Sequence, residues 1–137
     1  MGASVVYRNA TMDDVTGMHD LWHQIWPSQL YEKSLPAKIQ MDPELVLLAE
    51  SEGLIVGTII GGFDGWWAWI YKVAVHKDYQ GHGIASYLFE EMHRRLQSRG
   101  ADGVGLFTSM ENEPMQALLK KLGYAKRNDT RFSFIFR

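Results

Sequence analysis

Apolar residues recur three or four positions apart in three segments of the chain, which predicts three amphipathic helices. The first begins after a potential N-cap, Thr11, and ends before Pro27. The second runs from a glycine-rich turn to Gly100, and the third covers residues 112–123. A shorter helix is predicted near residues 36–41.

Short runs rich in β-branched and aromatic residues, bounded by turn signals, predict the strands of the fold. Turns are expected at Glu52–Gly53, which would close a hairpin, and at Asp64–Gly65. The last run alternates phenylalanine with polar residues. The predicted strands cover residues 5–10, 45–51, 54–63, 66–75, 104–109 and 130–137, with a short additional strand near Ala125.

In chain order the predicted elements are β-α-α-β-β-β-α-β-α-β-β. This order is typical of an α/β (α+β) domain, in which helices flank a mixed, mainly antiparallel sheet with one β-α-β crossover. A length of 137 residues fits one domain, so we expect residues 1–137 to fold together.

Composition narrows the class of protein. Hydrophobic residues make up 46% of the chain and charged residues 22%, which is ordinary for a globular domain. The absence of cysteine excludes disulfides, thiolate metal sites and a cysteine nucleophile, and no metal is predicted. No signal peptide is recognisable and the apolar run 53–63 is too short to cross a bilayer. We therefore expect a cytoplasmic protein that has no membrane partner.

Charge is distributed unevenly along the chain. Residues 1–70 carry three basic and nine acidic side chains, whereas residues 71–137 carry eleven basic and seven acidic ones. An acidic half favours a cationic ligand and a basic half an anionic one, unless folding interleaves the two. With a net charge of −2 and no dense cluster of lysine and arginine, nucleic acid is not an expected partner.

The segment YQGHGIAS, residues 79–86, follows an apolar run and precedes the second long helix. The first N–H groups of a helix have no partner within it, so a phosphate can bind them where side chains leave room. Gly81, Gly83 and Ala85 leave the backbone accessible, and Ser86 adds a hydroxyl. The residues alone leave two readings open, a phosphate site or a plain chain reversal, because neither a P-loop nor a dinucleotide fingerprint is present.

The longer segment VAVHKDYQGHGIASYLFEEM resembles the acetyl-CoA signature of the GNAT N-acetyltransferases, in which an apolar strand leads to Gln/Arg-x-x-Gly-x-Gly/Ala and a helix. Downstream, NEPMQALLKKLGY is similar to a second helix of that family, with Asn112, Met115, Leu118, Gly123 and Tyr124 in register. Two motifs in the right order, within the expected element order, extend the resemblance over nearly the whole chain. The chain is identified as a GNAT member.

This resemblance implies acetyl-CoA as the acetyl donor and assigns its contacts mostly to the backbone. Amides of residues 81–86 would hold the pyrophosphate, and a splayed strand near residues 104–108 would leave a gap for the pantetheine. The amide of Val73 would polarise the thioester carbonyl as an oxyanion-hole donor. The implied donor-binding residues are Val73, Ala74, Val75, Gln80, Gly81, His82, Gly83, Ile84, Ala85, Ser86 and Asn112.

The residues for proton transfer are less clear. Tyr71 lies on the strand before the glycine turn and could relay a proton through water. Asp64 could reach an acceptor amine, although a turn-forming role is the favoured alternative for it. The usual general-acid tyrosine of the family falls at Leu119, so solvent or Tyr71 would protonate the leaving thiolate. The catalytic candidates are therefore Val73, Tyr71 and Asp64.

Aromatic residues suggest where an acceptor would bind. In the family the first helices and the strand loops form the acceptor wall, and aromatic faces beside carboxylates suit a cationic amine. The candidates are Trp22, Trp26, Tyr31 and Trp66. Alternatively, Trp22 and Trp26 pack in the core, or exposed aromatics mark the surface of a homodimer.

The function expected from these features is acetyl-CoA-dependent N-acetylation of a small-molecule or peptide amine by direct attack. The alternative is a non-catalytic acyl-CoA-binding or sensor module on the same fold, which the leucine at position 119 favours.

Overall fold

A computed structural model describes residues 4–27 and 33–136 of the chain. The chain divides into two compact units, Met1–Phe107 and Thr108–Arg137. The expectation of one domain over residues 1–137 stays a prediction.

The first unit contains a five-stranded sheet whose strands follow chain order. The strands β1 to β4 pair antiparallel, and β5 pairs parallel to β4 after a helical crossover. Their bounds are Val6–Asn9, Val46–Ser51, Leu54–Phe63, Ala68–Val75 and Val104–Gly105. The mixed, mainly antiparallel α/β sheet predicted from the sequence is thereby confirmed.

Three helices belong to the first unit: α1 (Val15–Ile25), α2 (Ser34–Met41) and α3 (Ile84–Ser98). The second unit contains α4 (Glu113–Lys121). All four match predicted helices within a few residues. Pro27 follows α1, and a glycine follows α3 and α4, as expected at helix ends. In the part of the chain that the structure describes, no helix has the length and apolar character needed to span a membrane.

The sheet buries side chains on both faces. On one face α1 supplies Met18, Leu21 and Trp22 to a core that includes Val46, Leu48, Ile60 and Ala74 of the strands. On the other face, α3 lies so close to β3 that a Cβ at Gly57 would stand 2.8 Å from Ile84. The missing side chain at Gly57 therefore sets how closely α3 can approach the sheet.

An ionic cluster fixes the start of the first helical segment to the sheet. Arg8 on β1 donates two hydrogen bonds of 2.8 Å to the carboxylate of Asp14 and one of 3.0 Å to Glu50 on β2. The backbone N–H of Thr11 also donates to Asp14, at 2.7 Å. These donors favour the ionised carboxylate and lower the pKa of Asp14 from 3.8 to about 2.

The predicted C-terminal strands near Ala125 and over residues 130–137 are not observed within the described residues of the second unit. Residues 124–136 have no strand assignment, and Phe132, Phe134 and Phe136 are at least 82% exposed. Alternation favours a strand only where a neighbouring strand supplies backbone hydrogen bonds and a surface covers the apolar face. Among residues 108–136 the structure describes no such neighbour. The predicted strand over residues 104–109 is likewise shorter, at Val104–Gly105.

Replacing Asp14 by asparagine should lower the free energy of unfolding at neutral pH by about 2 kcal/mol, because the bidentate carboxylate interaction is lost. The folded pKa lies below the unfolded value, so this stabilisation is present above about pH 4 and is lost as the pH falls toward about 2. Urea unfolding of the wild type and of the variant, at neutral pH and near pH 2, measures the difference in the free energy of unfolding. The neighbouring exposed residue provides the control, Asp13→Asn, and an equal loss there would contradict the assignment.

Candidate active site

Strand β4 contains a one-residue bulge. Its register with β3 shifts by one between Thr58 and Ile60, so Lys72 and Val73 together oppose Ile59. Lys72 has a φ of 53°, in the left-handed region that residues with side chains rarely adopt. Glycine usually occupies the left-handed position of such a bulge. Because a lysine stands there, the sequence gives no signal for the bulge. Val73, the predicted oxyanion donor, directly follows the left-handed residue.

The bulge changes which β4 side chains share a face of the sheet. Tyr71 pairs with Ile60 and lies on the α1 face, whereas Val75 pairs with Gly57 and lies on the α3 face. In a regular strand, residues 71 and 75 would lie on one face of the sheet. Here the extra residue between them reverses the alternation.

One edge of β4 is open beyond its first residues. The parallel ladder to β5 contains only the pairs Ala68–Val104 and Trp69–Gly105. From Ile70 onward, β4 pairs with β3 on one edge, and no strand among the described residues pairs with the other. The splayed strand predicted near residues 104–108, with its gap for the pantetheine, stays a prediction, and the observed ladder ends at the Trp69–Gly105 pair.

Two glycines of the β5 region accommodate indole rings. A Cβ at Gly105 would stand 2.7 Å from the ring of Trp69, and one at Gly103 would stand 2.8 Å from Trp67. Trp69 also stacks on Phe107, with ring centroids 5.4 Å apart. The end of the β4–β5 ladder is thus packed with aromatic rings.

The glycine turn lies between β4 and α3, as predicted. Gly81 and Gly83 both have a φ of 80°, and Gly83 is the N-cap of α3. No heavy atom lies within 4 Å of a Cβ built on either glycine, so the space beside both is open. The first turn of α3 carries no acidic residue, and its helix dipole is positive at this end. The turn has the geometry of an anion site.

The remaining residues of the signature support this turn in different ways. The Gln80 side-chain amide donates to the carbonyl of Val75 at 3.3 Å and so ties the turn to the end of β4. Ile84 is buried, Ala85 and Ser86 are partly buried, and His82 is exposed beside the glycines. The predicted donor-binding residues 73–75 therefore lie at the end of β4, and residues 80–86 lie in the turn and the start of α3 that Gln80 ties to it.

The predicted sites of the second unit lie on α4. The Asn112 side chain accepts a hydrogen bond from the N–H of Met115 and caps the helix, so its carboxamide oxygen already has a local partner. Leu119 lies within α4 and is partly buried, as is Tyr124, where burial raises the pKa of the phenol. A contact of Asn112 with the pantetheine stays a prediction.

The acceptor candidates have different environments. Trp22 is 2% exposed and belongs to the core, whereas Trp66 is 91% exposed. The Lys72 ammonium lies 5.3 Å from the ring of Trp22 and 4.9 Å from that of Trp26, which places a cation of the chain itself against both rings. Tyr31 lies outside the described residues.

Asp64 closes the turn between β3 and β4. Its carboxylate accepts from the N–H groups of Trp66 at 2.8 Å and Trp67 at 3.0 Å. The hydrogen bonds from Trp67 and Trp66 lower the pKa of Asp64, which makes it a weaker base than an ordinary aspartate. The turn-forming alternative considered for Asp64 therefore has direct structural support.

A concave surface of about 230 Å³ lies beside α1 and the β2–β3 turn. Four carboxylates line it, those of Asp13, Asp14, Asp20 and Glu50. Arg8 binds two of them, as described above. Four of the nine acidic residues in the first half of the sequence therefore line this surface, and Arg8 partly compensates their charge.

Comparison with known proteins supports the family resemblance seen in the sequence. The sequence profile of the acetyltransferase (GNAT) family matches residues 15–124. The chain belongs to this family of acetyltransferases.

Curated relatives include an acetyltransferase of Sodalis glossinidius, 32% identical over 119 residues, which cover 87% of this chain and 84% of that one. An acetyltransferase of Pectobacterium atrosepticum is 33% identical over 115 residues, with 82% of each chain covered. Both relatives are therefore similar to this chain over most of their length.

Solved structures share the fold at low sequence identity. A chain of the NatC complex bound to Gag peptide and CoA has a TM-score of 0.83 and 21% identity, covering 91% of this chain and 87% of that one. The aminoglycoside N-acetyltransferase AAC(6′)-Iy, in complex with a bisubstrate analogue, has a TM-score of 0.80 and 17% identity, covering 98% and 100%. Both resemblances concern the fold, which is that of the GNAT acetyltransferases.

Replacing Asp64 by alanine should lower the melting temperature, because two backbone N–H groups lose their acceptor. Asp64→Asn keeps a side-chain oxygen in the same place and should lower it much less. Thermal unfolding followed by circular dichroism compares the two variants. Equal melting temperatures for both would show that the turn does not depend on these bonds.

Proposed function

We propose that the protein transfers an acetyl group from acetyl-CoA to a primary amine of a small molecule or peptide, by direct attack of the amine. The observation that carries this proposal is the continuous backbone path from the open edge of β4, through the bulge, to the glycine turn and the N-terminus of α3. Acetyl-CoA would supply an activated thioester, and the protein would bind and polarise it.

The glycine turn fits a pyrophosphate. Gly81 and Gly83 have open space where side chains would otherwise project, and the first N–H groups of α3 have no acceptor within the helix. A pyrophosphate there, with one negative charge on each phosphate, would benefit from the helix dipole and from several N–H donors. Residues 81–86 are therefore the part of the chain proposed to hold this end of acetyl-CoA.

The backbone of β4 would bind the pantetheine and polarise the thioester. A strand with one open edge offers N–H and C=O groups in the spacing that an extended amide-containing arm can match. The N–H of Val73, at the bulge, is the proposed donor to the thioester oxygen. A fixed donor at this point stabilises the negative charge that develops when an amine attacks.

Proton transfer would rely on solvent and weak side-chain participation. A lysine-like amine is neutral in only about 1 part in 2,500 at pH 7, so a path for its proton is useful. Tyr71 is 51% exposed and lies on the α1 face of β4, where it could relay a proton through water. The lowered pKa of Asp64 makes it a poorer candidate for the base.

The departing thiolate needs little assistance. A thiol of pKa about 8.5 is already a good leaving group near neutral pH. A leucine at position 119 is therefore compatible with turnover. The same residue favours the second candidate function, a non-catalytic acyl-CoA-binding module.

Incubation with acetyl-CoA and a panel of amines separates the two functions. The panel contains polyamines, aminoglycosides and peptides with a free N-terminus, and thiol release is measured with a chromogenic disulfide. Turnover above the hydrolysis background with at least one amine is expected. Calorimetric binding of acetyl-CoA without turnover on any amine would favour the binding module.

Replacing Gly83 by glutamate should raise the Kd for CoA about 100-fold, equivalent to about 2.8 kcal/mol. The new side chain places bulk and negative charge where the pyrophosphate is proposed to bind. Titration calorimetry measures the Kd of each variant. The matched control is Gly100→Glu, at the other end of α3, where the glycine also has a positive φ of 100° and open space. Unchanged affinity in Gly83→Glu, or an equal loss in both variants, would contradict the proposed cradle.

A further inference from the structure

Two buried hydrogen bonds connect α1 to the bulge of β4. The indole N–H of Trp22 donates to the hydroxyl of Thr58 at 2.8 Å, and that hydroxyl donates to the carbonyl of Lys72 at 2.8 Å. The directions are fixed by chemistry, because an indole N–H only donates and a carbonyl only accepts. Trp22 is 2% exposed and Thr58 is fully buried, so water does not compete for these bonds.

The same tryptophan holds the side chain of the bulge residue. The ammonium of Lys72 lies 5.3 Å from the Trp22 ring, while the Lys72 carbonyl receives the Thr58 hydroxyl. Lys72 is thus held at its side chain and at its main chain. Such double attachment can maintain a left-handed conformation that a lysine would otherwise leave.

The Lys72 carbonyl belongs to the same peptide unit as the N–H of Val73. A peptide unit is planar, and the described chain contains no cis peptide bond, so this N–H points opposite to the carbonyl. Fixing the carbonyl toward Thr58 therefore fixes the direction of the Val73 N–H. A hydrogen bond accepted by the carbonyl also polarises the peptide and strengthens its N–H as a donor.

From these contacts we propose that Thr58, oriented by Trp22, is a positioning residue that aims and polarises the Val73 amide toward the thioester oxygen. This inference rests on the proposed function. Thr58 would touch neither substrate and would act entirely through the Lys72–Val73 peptide unit.

Infrared spectroscopy of bound acetyl-CoA, labelled with carbon-13 at the thioester carbonyl, tests this role without an acceptor amine. A carbonyl that accepts a hydrogen bond absorbs at lower frequency than the free thioester. The wild type should show this shift. Thr58→Val, which keeps the side-chain shape but not the hydroxyl, should lose at least about half of it, and Thr58→Ser should restore it.

Binding and turnover give a second readout. The Kd for CoA in Thr58→Val should stay within about threefold of wild type, because the glycine turn is unaffected. With an amine from the panel, kcat should fall about tenfold while the KM for acetyl-CoA changes little, as expected when a donor is misaligned rather than removed.

Two further variants keep the test decisive. Trp22→Phe removes the indole donor but keeps an aromatic ring, and should give a partial loss of the infrared shift even if Thr58→Val fails to fold. Ser51→Ala is the control, because Ser51 is buried on the neighbouring strand and its hydroxyl has no hydrogen-bond partner in the described structure. Its infrared shift should equal that of the wild type.

A wild-type shift in folded Thr58→Val would overturn the positioning role while leaving the proposed function intact. If Thr58→Val does not fold, a wild-type shift in Trp22→Phe would overturn it. An equal loss in Ser51→Ala would also overturn it, as a general effect of perturbing the core. If the wild type itself does not bind acetyl-CoA, the proposed function fails, and this inference fails with it.

Discussion

The pairing of β4 with β3 is the constraint on which the candidate site depends. Along this edge the register of β4 is interrupted only at the bulge opposite Ile59. The other edge of β4 is open after Trp69. The bulge also decides which side chains face α1 and which face α3. A sheet that was regular here would present different side chains to both helices, and a sheet completed on both sides would have no free backbone for a ligand.

Much of this arrangement could be predicted from the sequence, for physical reasons that differ between elements. Helices α1, α3 and α4 were predictable because their apolar spacing agrees with the signals at their ends, which are Pro27 after α1 and a glycine after α3 and after α4. The turn at Gly81 and Gly83 was predictable because few residues other than glycine fit a left-handed turn before a helix. The bulge could not be predicted, because Lys72 carries no signal for a positive φ and its conformation depends on contacts distant in sequence. The C-terminal phenylalanine strand was predicted wrongly, because alternation alone does not supply a pairing partner.

The aromatic residues first considered as an acceptor wall serve the fold as well. Trp22 is both a core residue and a hydrogen-bond donor, and together with Trp26 it already faces the ammonium of Lys72. An amine that approached these two rings would compete with a cation attached to the same chain. Two requirements therefore meet at one lysine, which has to keep an unusual backbone conformation and to keep its charge against the indoles.

The packing of Trp69 against Gly105 has an evolutionary consequence. The ring occupies the volume that a side chain at position 105 would need, so each residue restricts what the other can become. A larger residue at position 105 could be accepted only with, or after, a smaller one at position 69, and the same holds for Gly103 and Trp67. Among descendants of this chain, these positions should change in pairs, and the width of the opening beside β4 should change with them.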